Sequence, residues 1–330
     1  MIGLDIGSYS IKAVELQGND SALTLKGFKI KDRVPQEPLQ DTVRKLFEEG
    51  QFGSKALAIS VSGHLVLTRM LELPEMKDEE LKNAIKFEIE RFIPFSIEDA
   101  VLDYQIILRN QKAKKVTILL AVAKKSFIIN YLDMISQLGF TVSAIDVDGL
   151  ALTNAFLNAY PEKKDVTYDK AFGILHIGDA NLNVSVVYQG IPYVLRDIGG
   201  SGAELSEVIS KSLGISQEEA YKLKCNIPDQ RREELFDIMR PTLSRFARDI
   251  RLSIGYFENQ FSKGVELVYL SGGSSKIVGL SEYLTECLDI PIESWDPFSP
   301  IAIGDNISVK SLEEAKRELA VAVGLAIKDD

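Results

Sequence analysis

The segment DIGSYSIK near the start of the chain brings together groups that can bind a phosphorylated ligand. Gly7 lets the backbone approach a ligand closely, so that N–H groups can contact phosphate oxygens. Lys12 can place a cation against a phosphate, and the hydroxyls of Ser8 and Ser10 can donate hydrogen bonds to it. Asp5 can hold the water shell of a Mg²⁺ ion. The segment therefore predicts a phosphate-binding turn.

Two later segments repeat this design. AFGILHIGDANLNVSVVYQG has Gly178 between two apolar runs, and VYLSGGSSKIVGL has Gly272 and Gly273 between an apolar run and a predicted helix. One glycine turn is weak support for a site, because most such turns only reverse the chain. Two strand–turn–strand copies half a chain apart, with a third glycine turn, favour one shared ligand. We predict that the first two turns face each other across it.

Strands and helices must position these turns. Alternating apolar residues predict strands over Ile2–Ile6, Ile11–Leu16 and Ala22–Ile30, and helical spacing predicts a helix over Leu39–Gly50. KALAISVSG then has the composition of a buried strand. This order of elements predicts a mixed α/β domain.

A small α+β unit follows. Its first helix is predicted to start at Asp78, a suitable N-cap residue, and to stop at Pro94. The apolar stripe of that helix consists of Leu81, Ile85, Ile89 and Phe92. After the unit, a helix begins at Asp148 and a polar connector leads to Ala171. Farther on, a long helix is predicted from Pro241 through Gln260, because proline suits a first helical position.

Composition limits the functional classes. The chain has 330 residues, enough for two or more domains, and a formal net charge of −10 that argues against a general grip on nucleic acid. Cys225 and Cys287 are expected to be reduced thiols without a metal. No apolar run approaches the roughly 20 residues that cross a bilayer, and no leader is predicted. We expect a cytoplasmic protein that reaches a membrane only through a partner.

The three turns resemble, in order, the phosphate-1, phosphate-2 and adenosine motifs of the actin-like ATPase superfamily. IDVDGLALTNAF and ELAVAVGLAIK resemble its two connecting helices. The α+β unit, with LPEMKDEELKNAIKFEIERFIPF and TILLAVAKKSFIINYLDMISQLGF, is similar to that of the PilM family of type IV pilus assembly, relatives of the cell-division protein FtsA. The resemblance implies an actin-like ATPase fold: two related mixed-sheet α/β domains with an FtsA-type inserted subdomain.

The resemblance also implies domain boundaries. The first actin-like domain spans 1–72 and 146–170, the inserted partner-binding subdomain spans 73–145, and the second actin-like domain, with the adenosine loop, spans 171–330. The last helix is expected to pack between the two actin-like domains.

Site residues follow from the same resemblance, which implies ATP and Mg²⁺ as ligands. Asp5 would hold Mg²⁺ through water, and Lys224 would contact the nucleoside. The full set of expected nucleotide-binding residues is Asp5, Gly7, Ser8, Tyr9, Ser10, Lys12, Gly178, Asp179, Ala180, Asn181, Gly200, Lys224, Gly272, Gly273, Ser274 and Ser275.

Several positions depart from the superfamily pattern. Tyr221 replaces a glutamate that contacts the ribose, and Asp148 stands where active relatives place the residue that orients the attacking water. His176 stands where many relatives have a Mg²⁺-associated aspartate; it is either a substitute at the site or a core histidine. Asp179 is expected to point to the other side if its strand continues. These departures predict ATP binding with slow or absent hydrolysis.

The resemblance implies an ATP-binding component of the type IV pilus inner-membrane platform, with a role in twitching motility. Its implied partner is the N-terminal cytoplasmic peptide of a PilN-like membrane protein, and a motor ATPase of the platform is a further candidate. Phe87, Phe92 and Tyr104 are the predicted peptide contacts, although core packing would also explain them. Two alternatives stay open: a small-molecule kinase of the superfamily, or an FtsA-like division filament. The filament would need an amphipathic tail, which is not expected after GLAIKDD.

Overall fold

The computed structural model describes residues 1–19 and 22–327. The last three residues of the closing GLAIKDD segment lie outside these ranges. The chain forms two compact units, residues 1–60 together with 141–330, and residues 61–140. No helix within the described ranges is long and apolar enough to cross a membrane.

The larger unit opens with the predicted order of elements. These are β1 (Ile2–Ile6), β2 (Ser10–Asn19), β3 (Ala22–Asp32), α1 (Leu39–Gly50) and β4 (Ala56–Val61). Strands β1 and β2 pair antiparallel, which sets Asp5 opposite Lys12, and β4 pairs parallel with β1. The predicted bounds of β1 and α1 are confirmed.

The smaller unit packs two helices with a three-stranded sheet. Its elements are β5 (Val66–Pro74), α2 (Asp78–Ile89), β6 (Ala100–Asn110), β7 (Lys115–Lys124) and α3 (Lys125–Gln137). The strand order β5-β7-β6 leaves β6 at an edge. We propose that this unit is the inserted subdomain predicted at 73–145, with β5 included because it pairs with β7 along its whole length.

In α2 the structure differs from the predicted helix. Lys77 is the N-cap and Asp78 the first helical residue, and the helix ends at Ile89, before Pro94. Leu81, Ile85 and Ile89 are buried as predicted, but Phe92 lies beyond the helix and is 42% exposed. The helical stripe cannot include Phe92, because the chain has already left helical geometry there.

The chain then returns to the larger unit. Its remaining strands are β8 (Thr141–Val147), β9 (Ala171–Ile177), β10 (Leu182–Tyr188), β11 (Ile191–Ile198), β12 (Val265–Ser271), β13 (Ile292–Ser294) and β14 (Ala302–Ile303). Its remaining helices are α4 (Asp148–Ala159), α5 (Gly202–Leu213), α6 (Gln217–Cys225), α7 (Arg232–Phe261), α8 (Leu280–Leu288), α9 (Val309–Ala315) and α10 (Ala320–Ile327).

Two mixed sheets of the larger unit are built alike. One has the strand order β14-β3-β2-β1-β4-β8 and the other β11-β10-β9-β12-β13. Each contains a three-stranded antiparallel meander, β1–β3 or β9–β11, with a parallel strand beside the first strand of the meander. The turns between β1 and β2 and between β9 and β10 are therefore equivalent positions of two related halves.

The prediction that Pro241 starts a helix is wrong. Helix α7 begins at Arg232 and continues through Pro241. Proline in a helix interior costs about 3 kcal/mol, since it cannot donate to the carbonyl four residues earlier. The helix persists because its buried stripe runs unbroken across the proline, through Leu235, Met239, Leu243 and Phe246.

Helices α4 and α10 approach each other most closely at Gly324. A Cβ built on Gly324 of α10 would overlap the Ala151 backbone of α4. Gly3 of β1 lies equally close to α10, where a Cβ would come 2.6 Å from the Ala326 nitrogen. Both glycines are thus required by packing of backbone against backbone.

Candidate functional site

The first two turns meet. The hydroxyl of Ser8 donates a hydrogen bond to Oδ2 of Asp179 over 3.0 Å. The prediction that Asp179 points away requires its strand to continue, but β9 ends at Ile177 and strand alternation stops there. The amide of Gly178 donates to the Asn181 carbonyl over 2.9 Å and closes the turn. Asp179 therefore faces the first turn.

A buried ion pair lies under the first turn. Nζ of Lys12 is 3.1 Å from Oδ2 of Asp5, and their side chains are 13% and 9% exposed. Burial lowers the pKa of Lys12, but the charge and hydrogen bond of Asp5 outweigh burial and leave that pKa raised. A Cβ on Gly7 would lie 2.9 Å from this Nζ. Glycine thus leaves room for a cation directly under the turn.

The N-terminus of α5 holds the second turn. The amides of Gly202 and Ala203 donate to the carbonyls of Gly178 and Asp179, over 2.8 and 3.0 Å. Lys224 is fully buried, and its Nζ donates to the Gly202 carbonyl over 2.6 Å. Burial lowers the pKa of Lys224. These hydrogen bonds tie the second turn, the start of α5 and Lys224 together.

Some predicted residues are not directed at these turns. Gly200 is buried, and a Cβ there would come 2.6 Å from the Phe246 ring, so its place is set by packing. Ala180 is exposed at the tip of the second turn, whereas Ser10 is buried at the start of β2.

The third turn lies beside the end of β9. Gly272 has a φ of 93°, and a Cβ there would be 2.5 Å from the Ile177 carbonyl oxygen. The Ser275 hydroxyl donates to the Gly272 carbonyl over 2.6 Å, and both Ser274 and Ser275 are buried. Gly273 begins the short 3₁₀ turn that follows. All three glycine turns thus gather at one edge of the larger unit's core.

A cavity of about 750 Å³ borders the third turn. Asn226 lines it just beyond α6, Lys276 lines it at the end of the third turn, and Arg317 lines it before α10. Small-molecule sites are commonly about 300–1,000 Å³. Its volume would accommodate a nucleoside, but none of the predicted nucleotide-binding residues lines it. Its other lining residues are Ser294, Trp295, Asp296, Glu313, Glu314 and Lys316.

An aromatic stack joins the first turn to α6. The rings of Tyr9 and Tyr221 are 3.8 Å apart between centroids and inclined by 17°. Burial, followed by the charge of Asp32, raises the pKa of Tyr9 to about 12, and burial also raises the pKa of Tyr221. Both rings are neutral at physiological pH. Nζ of Lys224 lies 4.7 Å from the Tyr221 centroid.

Sequence reasoning missed Glu318. This carboxylate, in the turn before α10, pairs with Lys276 of the third turn. Its Oε2 would lie 3.8 Å from a Cβ on Gly273 of the third turn, and its charge adds to the effect of burial in raising the pKa values of Asp32 and Tyr221. The acids of SLEEAKRE, just before the closing apolar run, indicate only a charged helix start, so the sequence offers no signal for this site residue.

His176 is a satisfied core histidine. It is 8% exposed, and its Nδ1 lies 3.1 Å from the Ser271 hydroxyl. Burial lowers its pKa to about 4, against an opposing effect of Asp5, so the imidazole is neutral at pH 7. Asp148 is the half-buried first residue of α4, and its charge contributes to the raised pKa of Lys12. A carboxylate thus lies near Lys12, but none occupies position 176.

The residues present fit a nucleotide better than a free metal ion. In residues 1–19 and 22–327, no three His, Cys, Asp or Glu side chains are grouped to bind a metal by themselves. A Mg²⁺ ion would need phosphate oxygens as ligands, with Asp5 and Asp179 close enough to its water shell to contribute. The glycine turns and Lys12 are the candidate phosphate contacts, whereas the first amides of α5 are already bonded to carbonyls of the second turn.

The smaller unit carries the predicted partner contacts. Phe87 is 61% exposed on α2 with Arg91 above its ring at 4.9 Å, and Phe92 has Arg69 above its ring at 3.8 Å. Tyr104 differs, since it is half-buried and packs against the core of its unit.

The chain is similar over 99% of its length to the "PilM-PilN type IV pilus biogenesis complex", with 25% identity, 98% of that chain covered and a TM-score of 0.88. The ethanolamine utilization protein EutJ from Carboxydothermus hydrogenoformans matches with 14% identity, 99% and 88% coverage and a TM-score of 0.54. MreB5 of Spiroplasma citri bound to AMPPNP matches with 13% identity, 99% and 94% coverage and a TM-score of 0.52.

These similarities confirm the predicted actin-like ATPase fold. The model of the family "Type IV pilus assembly protein PilM" matches residues 3–330. The chain therefore belongs to the PilM family of type IV pilus assembly proteins.

Proposed function

We propose that this PilM-family protein binds Mg–ATP between its first and second turns. The observation that carries the proposal is the Ser8–Asp179 hydrogen bond, because it sets two glycine turns face to face above the Lys12–Asp5 pair. A bound phosphate would attract the Lys12 ammonium away from Asp5. Its oxygens would accept hydrogen bonds from backbone N–H groups of both turns. The cavity beside the third turn would receive the nucleoside.

Turnover of the bound ATP is slow or absent in this proposal. Phosphoryl transfer depends on positioned charges, and Mg²⁺ water prefers carboxylate oxygens. His176 offers a neutral imidazole that is already bonded to Ser271. Asp148 is the one predicted residue left to orient water, so ATP acts mainly as a structural ligand.

The smaller unit binds the N-terminal cytoplasmic peptide of a PilN-like membrane protein. The relative in the PilM–PilN complex supports this partner for the present chain. Strand β6 is an edge strand, which can pair with an extended peptide, and Phe87 and Phe92 offer exposed apolar surface in the same unit. The protein would then be cytoplasmic and held at the inner membrane by this partner.

Thermal and chemical unfolding with Mg–ATP and with such a peptide test the proposal. A ligand that binds only the native state adds about 2.7 kcal/mol to the free energy of unfolding at a hundredfold excess over its Kd. We expect each ligand to stabilise the wild type, and Lys12→Met to abolish the ATP effect alone. Equal responses to ATP in both proteins would refute the site. Fast Mg²⁺-dependent phosphate release in a single-turnover assay would refute slow hydrolysis.

A further inference from the structure

Helix α7 carries an exposed apolar pair that the nucleotide site does not use. Leu252 is 65% exposed and Tyr256 is 53% exposed. The two residues are four apart, so they lie on the same face of the helix. Their neighbours on the opposite face, Ile250 and Ile254, are buried in the core. The outer face of α7 therefore presents apolar surface where a helix usually presents polar groups.

Three arginines surround this pair. Arg248 and Arg251 come from α7, and Arg196 of β11 holds its guanidinium 5.1 Å from the Tyr256 ring centroid. Each helix arginine also has an acidic neighbour: Arg248 lies 3.5 Å from Asp249, and Arg251 lies 2.9 Å from Glu258. The three arginines line a groove that has no acidic residue among its lining residues.

These side chains line one groove of about 900 Å³. Its α7 residues run from Ser244 to Asn259, about four turns or roughly 22 Å of helix, and Cys287 of α8 also lines it. Gly255 lies in the groove wall, and a Cβ there would meet no atom within 4 Å. The missing side chain at position 255 thus helps to keep the groove open.

We infer that this α7 groove binds an acidic amphipathic segment of a partner protein, with carboxylates on its arginines and an apolar side chain against Leu252 and Tyr256. Charge complementarity favours this occupant: the lining holds three arginines and no acidic residue, and incoming carboxylates would join or replace Asp249 and Glu258 on Arg248 and Arg251. Planar guanidinium groups bind carboxylates in pairs of hydrogen bonds. A concave surface suits a protruding segment better than a flat membrane.

The test uses a fluorescent 16-residue helical peptide with Leu and Glu on one face, and a matched peptide with Gln for Glu. Fluorescence anisotropy measures binding of each peptide to the full chain. Two groove variants are Gly255→Trp, which fills the open space, and the pair Arg248→Glu with Arg251→Glu. Matched controls are Gly264→Trp, where a Cβ also meets nothing within 4 Å, and Arg240→Glu, an α7 arginine outside the groove. Thermal unfolding checks that every variant is folded.

We expect the Glu peptide to bind about tenfold more tightly than the Gln peptide, and more weakly at high salt. Each groove variant should weaken it about tenfold, and the controls should not. Equal or absent binding of the two peptides would overturn the inference, as would groove variants without effect. The last measurement is binding of the wild type and the groove variants to vesicles containing phosphatidylglycerol. Vesicle binding that the groove variants abolish, without peptide binding, would assign the groove to anionic lipid instead.

Discussion

The rings of Tyr9 and Tyr221 stack on each other and join the first turn to the helix that carries Lys224. Stacked aromatic pairs contribute about 0.5–1.5 kcal/mol beyond the area that they bury. Both rings are neutral over the physiological pH range, so the contact does not depend on pH.

Replacing Tyr221 should accelerate nucleotide release. We expect Tyr221→Leu to raise the dissociation rate of a fluorescent ATP analogue about two- to tenfold, since the stack no longer joins the two sides of the site. Tyr221→Phe keeps the ring and should behave as the wild type. Stopped-flow displacement measures the rate. Slower release from Tyr221→Leu would contradict this role of the stack.

Replacing Lys12 should lower stability as well as ATP binding. Lys12→Met leaves the Asp5 carboxylate buried without its cation, at a cost of about 3 kcal/mol in the free energy of unfolding. Adding Asp5→Asn should recover much of that stability without restoring ATP binding. Urea unfolding and ATP titration of both variants separate the two effects. If Lys12→Met alone were as stable as the wild type, the ion pair would not be buried in solution.

His176 should make stability fall in mild acid. Its pKa is about 4 in the folded protein and about 6.5 when unfolded, so the unfolded chain binds more protons between these values. The contribution of neutral His176 to the free energy of unfolding is complete above pH 6.5. Up to about 3 kcal/mol of it is lost as the pH falls towards 4. His176→Asn should lose this part of the pH dependence. His64→Asn, at the chain's other and exposed histidine, should not.

Peptide binding by the smaller unit should depend on its exposed aromatic side chains. Phe87→Ala should leave the free energy of unfolding nearly unchanged, because its side chain is 61% exposed, and Phe92→Ala, at a side chain that is 42% exposed, should lower it by about 1 kcal/mol. Each should weaken binding of the PilN-like peptide by about tenfold, as expected for an aromatic anchor. Ile129→Ala, at an exposed position of α3, is the matched control. Calorimetric titration would contradict the assignment if all three variants bound alike.

The strands and turns were predictable because their signals are local. Alternation and a glycine determine the hairpin of β1 and β2, and helical spacing determines α1. The position of Asp179 was not predictable in the same way, since it depends on where β9 stops. Pro241 gave a wrong helix start because a local signal was outweighed. The buried stripe of α7, which packs on distant parts of the core, keeps the helix intact through the proline.

Glu318 shows the other limit of sequence reasoning. Its sequence neighbours suggest a solvent-exposed acidic helix start, whereas the fold brings it to Lys276, 42 residues away. A pairing of this kind depends on how two segments meet in space. No pattern inside either segment encodes it.

The close crossing of α4 and α10 limits what can stand at position 324. The backbone of α10 lies directly on the backbone of α4 there, because a Cβ on Gly324 would come 1.7 Å from the Ala151 carbonyl oxygen. No change of rotamer can relieve such an overlap, since the obstructing atom belongs to the main chain. A single added methyl group would therefore force the two helices apart along the core that they share.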